Sequence, residues 1–511
     1  MSESRTSNVI KNSFANILLR FVEIICQFLL RTAFIYLLGN EYTGVAGLFT
    51  DILQVLSLME LGLDVSMVYS LYKPLVDKDV KRISALMNFY KKAFTIIGVV
   101  IFGIGTACIP MLDYIVKDVP NITEDIRVIF EFYVLTSAAS YFFIYKTILL
   151  KADQKARIVS KWSGVIRFIE TVLEIIALLV VRDFYAYLIL HFVSVVVTNF
   201  ILSRITTKMY SEFFKDKSAK LSKHETFVLF RNIACLLAYD MSGVIINSTD
   251  SIFISAFVGT TQVAIIGNYT LIINSIRTAV AMGINASRPS IGNLAVTSSP
   301  DKQRDVFKKI NFISFSITCV CATCLFVLLT PFISDVWFSA NYAIPQNMVA
   351  ILCVNFFIAC MVLPVESFRT ANGLFVDGWI RPLCTAALNI VFNFILGSRY
   401  GIMGIFFATT ISRVGTQVWY DAYLIYKKVF KSKVREYYLD LAAKFIFVSA
   451  TCFIAWKISL LIPAMPFILD FILKCCVAVI VPVLMITIVF HNNPGYKFIK
   501  DLVFRKILKR G

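Results

Sequence analysis

Apolar runs of about 20 residues or more, cut by short polar turns, follow one another along the whole chain. They fall at 14–38, 43–71, 92–116, 128–150, 160–181, 184–208, 226–258, 262–290, 308–332, 345–368, 379–398, 401–426, 441–462 and 466–490. Each has the length of a helix that crosses a bilayer, and the polar residues inside them recur at helical spacing. The pattern predicts an all-α polytopic membrane protein with about fourteen transmembrane helices.

The turns between runs carry a second pattern. One set is rich in cations: Lys73, Lys78, Lys81 and Arg82; Lys151, Lys155 and Arg157; Lys208, Lys215, Lys217 and Lys220; Lys302, Arg304, Lys308 and Lys309; Lys427, Lys428, Lys431, Lys433 and Arg435. The alternate set ("GNEYT", "VGTTQ", "SDVWFSANYA", "IPAMP") has no Lys or Arg, and "DYIVKDVPNITEDI" is net acidic. Cations collect on the inner side of a membrane, so this alternation supports an even number of spans with both termini cytoplasmic. No outward loop is long enough to form a domain, so any chemistry lies within or beside the helices.

Composition agrees. Of 511 residues, 58% are hydrophobic and 16% charged, and mean hydropathy is +0.76. The formal net charge of +18 would suggest nucleic acid as a partner in a soluble protein. Here the inward loops account for it, and no nucleic-acid partner is expected. The opening "MSESRTSNVIKN" is polar and no cleavage site follows, so the first apolar run is expected to be retained. Cysteines sit within apolar runs, including Cys319, Cys321 and Cys324, and read as small hydrophobes rather than metal ligands.

Several spans carry a polar stripe. In the first, Asn16, Arg20, Glu23, Gln27 and Arg31 share an arc of roughly 80° on a helical wheel. In the eighth, Asn274, Arg277, Asn285 and Arg288 do the same, over a similar arc. A charge in hydrocarbon costs at least ~2.5–3.5 kcal/mol, so these stripes face protein or water. The fifth span aligns Ser163, Arg167, Glu170 and Glu174, read as an internal ion pair. Thr385, Asn389 and Asn393 stand at i, i+4 and i+8 in the eleventh, and Glu366 and Arg369 close the tenth. Arg20, Arg31, Arg277 and Arg288, with Asn274, form the expected cationic binding surface. Arginine suits a phosphate because its planar fork donates two hydrogen bonds and stays charged. Glu23, Asp51, Asp240 and Asp250 are the candidate counter-ions or coupling residues for H⁺ or Na⁺, a choice that stays open.

A short repeat adds an architecture. "GLFTDILQ" (Gly47–Gln54) resembles "GNYTLIIN" (Gly267–Asn274), and at the same offset of 220 Gly39 falls on Gly259. That offset is six spans, so the two copies share one orientation. The expected organisation is a lobe at 1–210, a second at 211–435, and two further helices with a basic tail at 436–511. The arginines of the first and eighth spans are expected at corresponding places in the repeats. Phosphate-binding Gly-Lys loops, metal-spaced histidines and nucleophile elbows are absent from the sequence, so no catalytic residue, metal or cofactor is expected.

The segment "FRTANGLFVDGWIRPLCTAALNIVFNFILGSRYGIMGIFFATTISR" (Phe368–Arg413) resembles the Wzx-type oligosaccharide flippases of the multidrug/oligosaccharidyl-lipid/polysaccharide exporter (MOP) superfamily. The elements that carry the likeness are Arg369-Thr-Ala-Asn-Gly373, Arg381-Pro382, Asn389 and Gly401-Ile-Met-Gly404. "MELGLDVSMVYSLYKPL" (Met59–Leu75) and "NSTDSIFISAFVGTTQVAIIGNYTLI" (Asn247–Ile272) extend it. The resemblance implies two six-helix lobes around a central cavity plus two C-terminal helices. It implies a non-enzymatic flippase in a bacterial cytoplasmic membrane. The substrate would be polyprenyl-diphosphate-linked oligosaccharide destined for a surface polysaccharide such as O-antigen or capsule. A glycan polymerase and glycosyltransferases would be its partners, along with membrane lipids. The last two spans would hold the polyprenyl tail, although Lys457, Asp470 and Lys474 interrupt that region. The alternative within the superfamily is a multidrug/cation antiporter, whose cavity should be acidic or aromatic. An integral-membrane glycan polymerase is a further alternative, which the short outward loops disfavour.

Overall fold

A computed structural model of the chain describes residues 5–57, 63–116, 122–153, 155–374, 376–378, 380–463 and 466–508, with side chains of a few helical stretches, such as 5–17 and 228–242, left aside. Among the described residues every regular element is helical, and the chain divides into two compact units. The first, Met1–Ala264, contains α1 (Arg5–Leu37), α2 (Asn40–Leu56), α3 (Leu63–Asp77), α4 (Val80–Ala107), α5 (Leu112–Ile115), α6 (Ile126–Ile144), α7 (Thr147–Ala152), α8 (Ala156–Val180), α9 (Phe184–Met209), α10 (Lys223–Phe257) and the first turn of α11 (Thr260–Asn285). The second, Ile265–Gly511, holds the rest of α11, then α12 (Arg288–Thr297), α13 (Pro300–Pro331), α14 (Gln346–Met361), α15 (Leu363–Ala371) and α16 (Ile380–Arg413). It continues through α17 (Trp419–Lys428), α18 (Arg435–Leu460), α19 (Phe467–Phe490) and α20 (Pro494–Leu508).

Local chemistry sets many of the helix ends. Asp79, Asp125 and Asp183 accept from the amides of Arg82, Arg127 and Tyr185, capping α4, α6 and α9. Ser222 and Glu225 form a reciprocal capping box at α10. In the turn before α10, the hydroxyl and amide of Ser218 hold the Asp216 carboxyl below its usual range. The predicted eleventh span is the first half of α16, and the twelfth is its second half continued into α17; the two meet without a loop at Gly401 (φ 58°, ψ −137°). Only glycine takes that backbone conformation at little cost.

The helices are inverted relative to those of a soluble protein. On α8, Phe168, Leu173 and Leu179 are exposed while Glu170 and Glu174 are buried. On α16, Val391 and Phe394 are exposed while Thr385, Asn389 and Asn393 are fully covered. On α18, Leu439, Ile446, Phe453 and Leu460 recur every seventh residue on the open face, with Lys444 and Thr451 inside. Lipid-facing helices must be apolar outside and satisfy their polar groups within the bundle. The chain is an all-α polytopic membrane protein.

Nine segments among the described residues pass a strict test of length and hydropathy for crossing a membrane, against fourteen expected. The difference has physical sources. The stretch Ile380–Lys428 counts once although Gly401 folds it into two helices. α1 and α8 carry the charged stripes, the second span is split between α2 and α3, and the seventh counts only over Gly243–Phe257 of α10 among the described residues. Over its described residues, each of the fourteen predicted runs lies mainly on helix.

Candidate functional site

In the first unit, polar groups of α1, α2 and α10 meet at one place. Arg31 of α1 donates from Nη2 to the carbonyl of Ala264 at 2.7 Å, and Asp51 of α2 supplies the opposing charge. Ser248 and Ser251 of α10 bring hydroxyls to the Asp51 carboxylate. The Ser248 hydroxyl also lies 3.0 Å from Oε1 of Gln54. Gln54 lines a cavity of about 350 Å³ together with Thr50, Tyr133, Ser137, His191 and Val244. The polar path therefore runs from Arg31 through Asp51, Ser248 and Gln54 into open space inside the unit.

On the cavity's other side, His191 of α9 leads to the acids of α8. Its Nδ1 lies 2.7 Å from Oε1 of Glu170 and 3.3 Å from Oε1 of Glu174. Arg167 closes the set, with Nη1 at 3.0 Å from Oε2 of Glu170. The second oxygen of Glu174 is buried with no hydrogen-bond partner among the described residues. Two carboxylates against one guanidinium leave one net negative charge when the imidazole is neutral. One proton or one monovalent cation neutralises the set. The Arg167–Glu170 pair was legible from its helix; His191, 21 residues further on from Glu170, was not. An ionisable residue in an otherwise apolar span is the signal that marks it.

The remaining predicted residues are distributed as follows. Arg20 and Glu23 pair at 2.8 Å on an exposed part of α1. The side chains of Asn16 and Asp240 lie outside the described residues. Asp250 is half-buried on α10, beside Ser251. In the second unit, Asn274 is exposed on α11 and Arg277 is half-buried one turn on, with neither ion pair nor hydrogen bond among the described residues. Ser367 of α15 stands between Arg288, whose Nε lies 3.4 Å from its hydroxyl, and Asn285, whose Oδ1 accepts from it at 3.4 Å. The expected correspondence of the arginines does not hold. In the register fixed by Gly39 and Gly259, Arg31 falls on Ser251 and Arg277 on Ser57.

The motifs that carry the family resemblance converge elsewhere. Arg369 and Arg381 both reach the fully buried Asp421 of α17, Arg381 Nη2 at 3.1 Å and Arg369 Nη1 at 3.8 Å. Glu366 accepts from Gln417 at 2.8 Å. Asn389 donates to Thr409 at 3.1 Å and Thr385 bonds Thr416 at 2.7 Å, so the stripe on the first half of α16 ties it to the helix that follows.

Against this geometry, no protein-family model matches the chain, and no curated protein matches it. Solved structures do. The lipid II flippase MurJ, in an inward closed conformation, aligns with a TM-score of 0.62 at 14% identity, over 94% of this chain and 99% of its own. An inward-facing multidrug resistance MATE family transporter of the MOP superfamily aligns at 0.58 and 12% identity, over 80% of this chain and 97% of its own. The fold is that of these transporters. The MATE multidrug transporter DinF-BH aligns at 0.53 and 16% identity, over 84% of this chain and 98% of its own. MurJ covers more of this chain than either MATE structure, by roughly the length of two membrane helices.

Proposed function

We propose that this chain is a flippase that carries polyprenyl-diphosphate-linked oligosaccharide from the cytoplasmic to the outer leaflet of a bacterial cytoplasmic membrane, with both termini cytoplasmic. The observation that carries the reading is Arg277, a guanidinium inside an apolar span with no acid bonded to it among the described residues. An isolated cation there is costly unless it meets water or an anionic ligand. A diphosphate supplies that anion, and arginine's fork matches its oxygens. Fold likeness to a lipid flippase over nearly the full length supports the same reading. In this proposal the lobes are 1–210 and 211–435, and 436–511 serves the lipid tail. The two lobes open alternately to either side, with Asn274 and Arg288 assisting Arg277. Glu170, Glu174 and His191 take up the coupling proton or monovalent cation.

Organic-cation antiport is the second reading, and a specific observation favours it: the buried acids Glu170 and Glu174 stand next to the cavity of the first unit. One experiment separates the two. In a deletion strain, a flippase predicts polyprenyl-linked oligosaccharide accumulating on the inner leaflet. Wild type would relieve it and Arg277→Ala would not, at equal protein level. Normal glycan with altered resistance to cationic dyes would replace the flippase reading with the antiporter.

A further inference from the structure

Four segments far apart in sequence close a cavity of about 320 Å³ in the second unit: the first part of α13, Tyr426 of α17, the first part of α18 and the start of α20. Its charges are nearly balanced. Lys309 pairs with Asp305 at 2.7 Å and Lys444 with Asp440 at 2.5 Å. Glu436 is engaged by Arg304 at 2.5 Å, which leaves Lys308 only a distant contact of 3.8 Å to the same carboxylate. The lining itself holds three cations and three anions, but Arg304, from outside the lining, takes up Glu436, and the surplus cation is Lys308. Deeper in, Asn311 is 3% exposed, and its Oδ1 is buried with no partner among the described residues. That carbonyl accepts hydrogen bonds only and calls for a donor. One wall is tightly closed: a Cβ on Gly495 would come within 2.6 Å of Phe312.

The depth of the cavity identifies the environment. Leu439 and Ile446 bracket Asp440 and Lys444 on α18 and are open, at 61% and 67% exposure. Apolar side chains so exposed meet lipid, whereas the charges beside them need water or a headgroup. The cavity thus sits where acyl chains give way to headgroups. Lys309 rests over the ring of Phe498 on α20 at 5.8 Å, which covers part of the lysine charge at this level.

We propose that this cavity binds the headgroup of an anionic, hydroxylated phospholipid of the phosphatidylglycerol type. The phosphodiester carries the one negative charge that Lys308 lacks, and a glycerol hydroxyl donates to Asn311. Phosphatidylcholine brings no net charge and no donor. The inference is independent of what the chain transports.

The test uses the full-length protein in detergent, with lipid retention read by native mass spectrometry against phosphatidylglycerol and phosphatidylcholine of equal acyl chains. The expected result is preferential retention of phosphatidylglycerol. Lys308→Ala, at an exposed position that folding does not need, should reduce that preference about fivefold, the scale of one cation at an anionic surface. Asn311→Leu should reduce it while Asn311→Asp, which repels the phosphate, abolishes it. Equal retention of both lipids, or a preference unchanged by Lys308→Ala, overturns the proposal. Displacement of the lipid by millimolar inorganic phosphate overturns the lipid assignment in favour of a soluble anion.

Discussion

The corner between α1 and α2 and the corner between α10 and α11 are built alike and used differently. Gly39 closes the first with its amide bonded to the carbonyl of Phe34, and Gly259 closes the second with its amide bonded to Ile254, residues that are also 220 apart. Both glycines have positive φ, 100° and 131°. The backbone plan of the turn is repeated to the hydrogen bond. The side chains are not: after the first corner Asp51 faces Arg31, whereas after the second, position 271 is Leu and Arg277 stands without an acid partner among the described residues. A duplicated turn needs only its glycine and its helix-end geometry to persist. The chemistry on the flanking helices is free to diverge.

The comparison breaks most visibly at Gly44. A Cβ there would lie 2.2 Å from the carbonyl oxygen of Thr260, against backbone that cannot move aside. Gly44→Val should cost more than about 4 kcal/mol and yield little folded protein by size-exclusion chromatography in detergent. Arg31→Ala comes next. It leaves the Ala264 carbonyl and Asp51 without their guanidinium, and roughly 3 kcal/mol should be lost. Thermal unfolding would register the drop, with Asp51→Asn restoring part of it. Arg277→Ala should change stability by less than about 0.5 kcal/mol; equal losses at the two arginines would show that both are structural. Gly39→Ala and Gly259→Ala should each cost about 1–2 kcal/mol, because both place a Cβ in a left-handed conformation. A large inequality between them would undo the equivalence of the corners. Gly47→Ala is the smallest change. Its nearest neighbour is Val263 at 3.8 Å, so the helix should tolerate it or gain up to ~1 kcal/mol.

Much of the fold was legible from hydrophobic runs, because a bilayer forces each run to be long, helical and apolar outside. The polar stripes were legible too, since a wheel shows which residues share a face. What a wheel does not show is the helix that a stripe meets. Asn389 and Asn393 could be read as a stripe, yet Thr409 and Ser412, which Asn389 meets, come from the far side of the Gly401 turn. Asp421, which gathers Arg369 and Arg381, sits among Trp and Tyr residues at the end of a span and carries no stripe of its own. The arginine correspondence failed for another reason. The first and eighth spans look alike as cationic helices, but the glycine register pairs the first with the seventh and the second with the eighth.

The Arg369–Arg381–Asp421 cluster also constrains how the protein is made. Its two cations emerge from the ribosome before its single anion, separated from it by roughly 40–50 residues of chain, or a few seconds at ~5–20 residues per second. During that interval α15 and the first half of α16 carry arginines with Asp421 still unmade. The ion cluster can therefore close only after α17, the last of these helices to be synthesised, has been made.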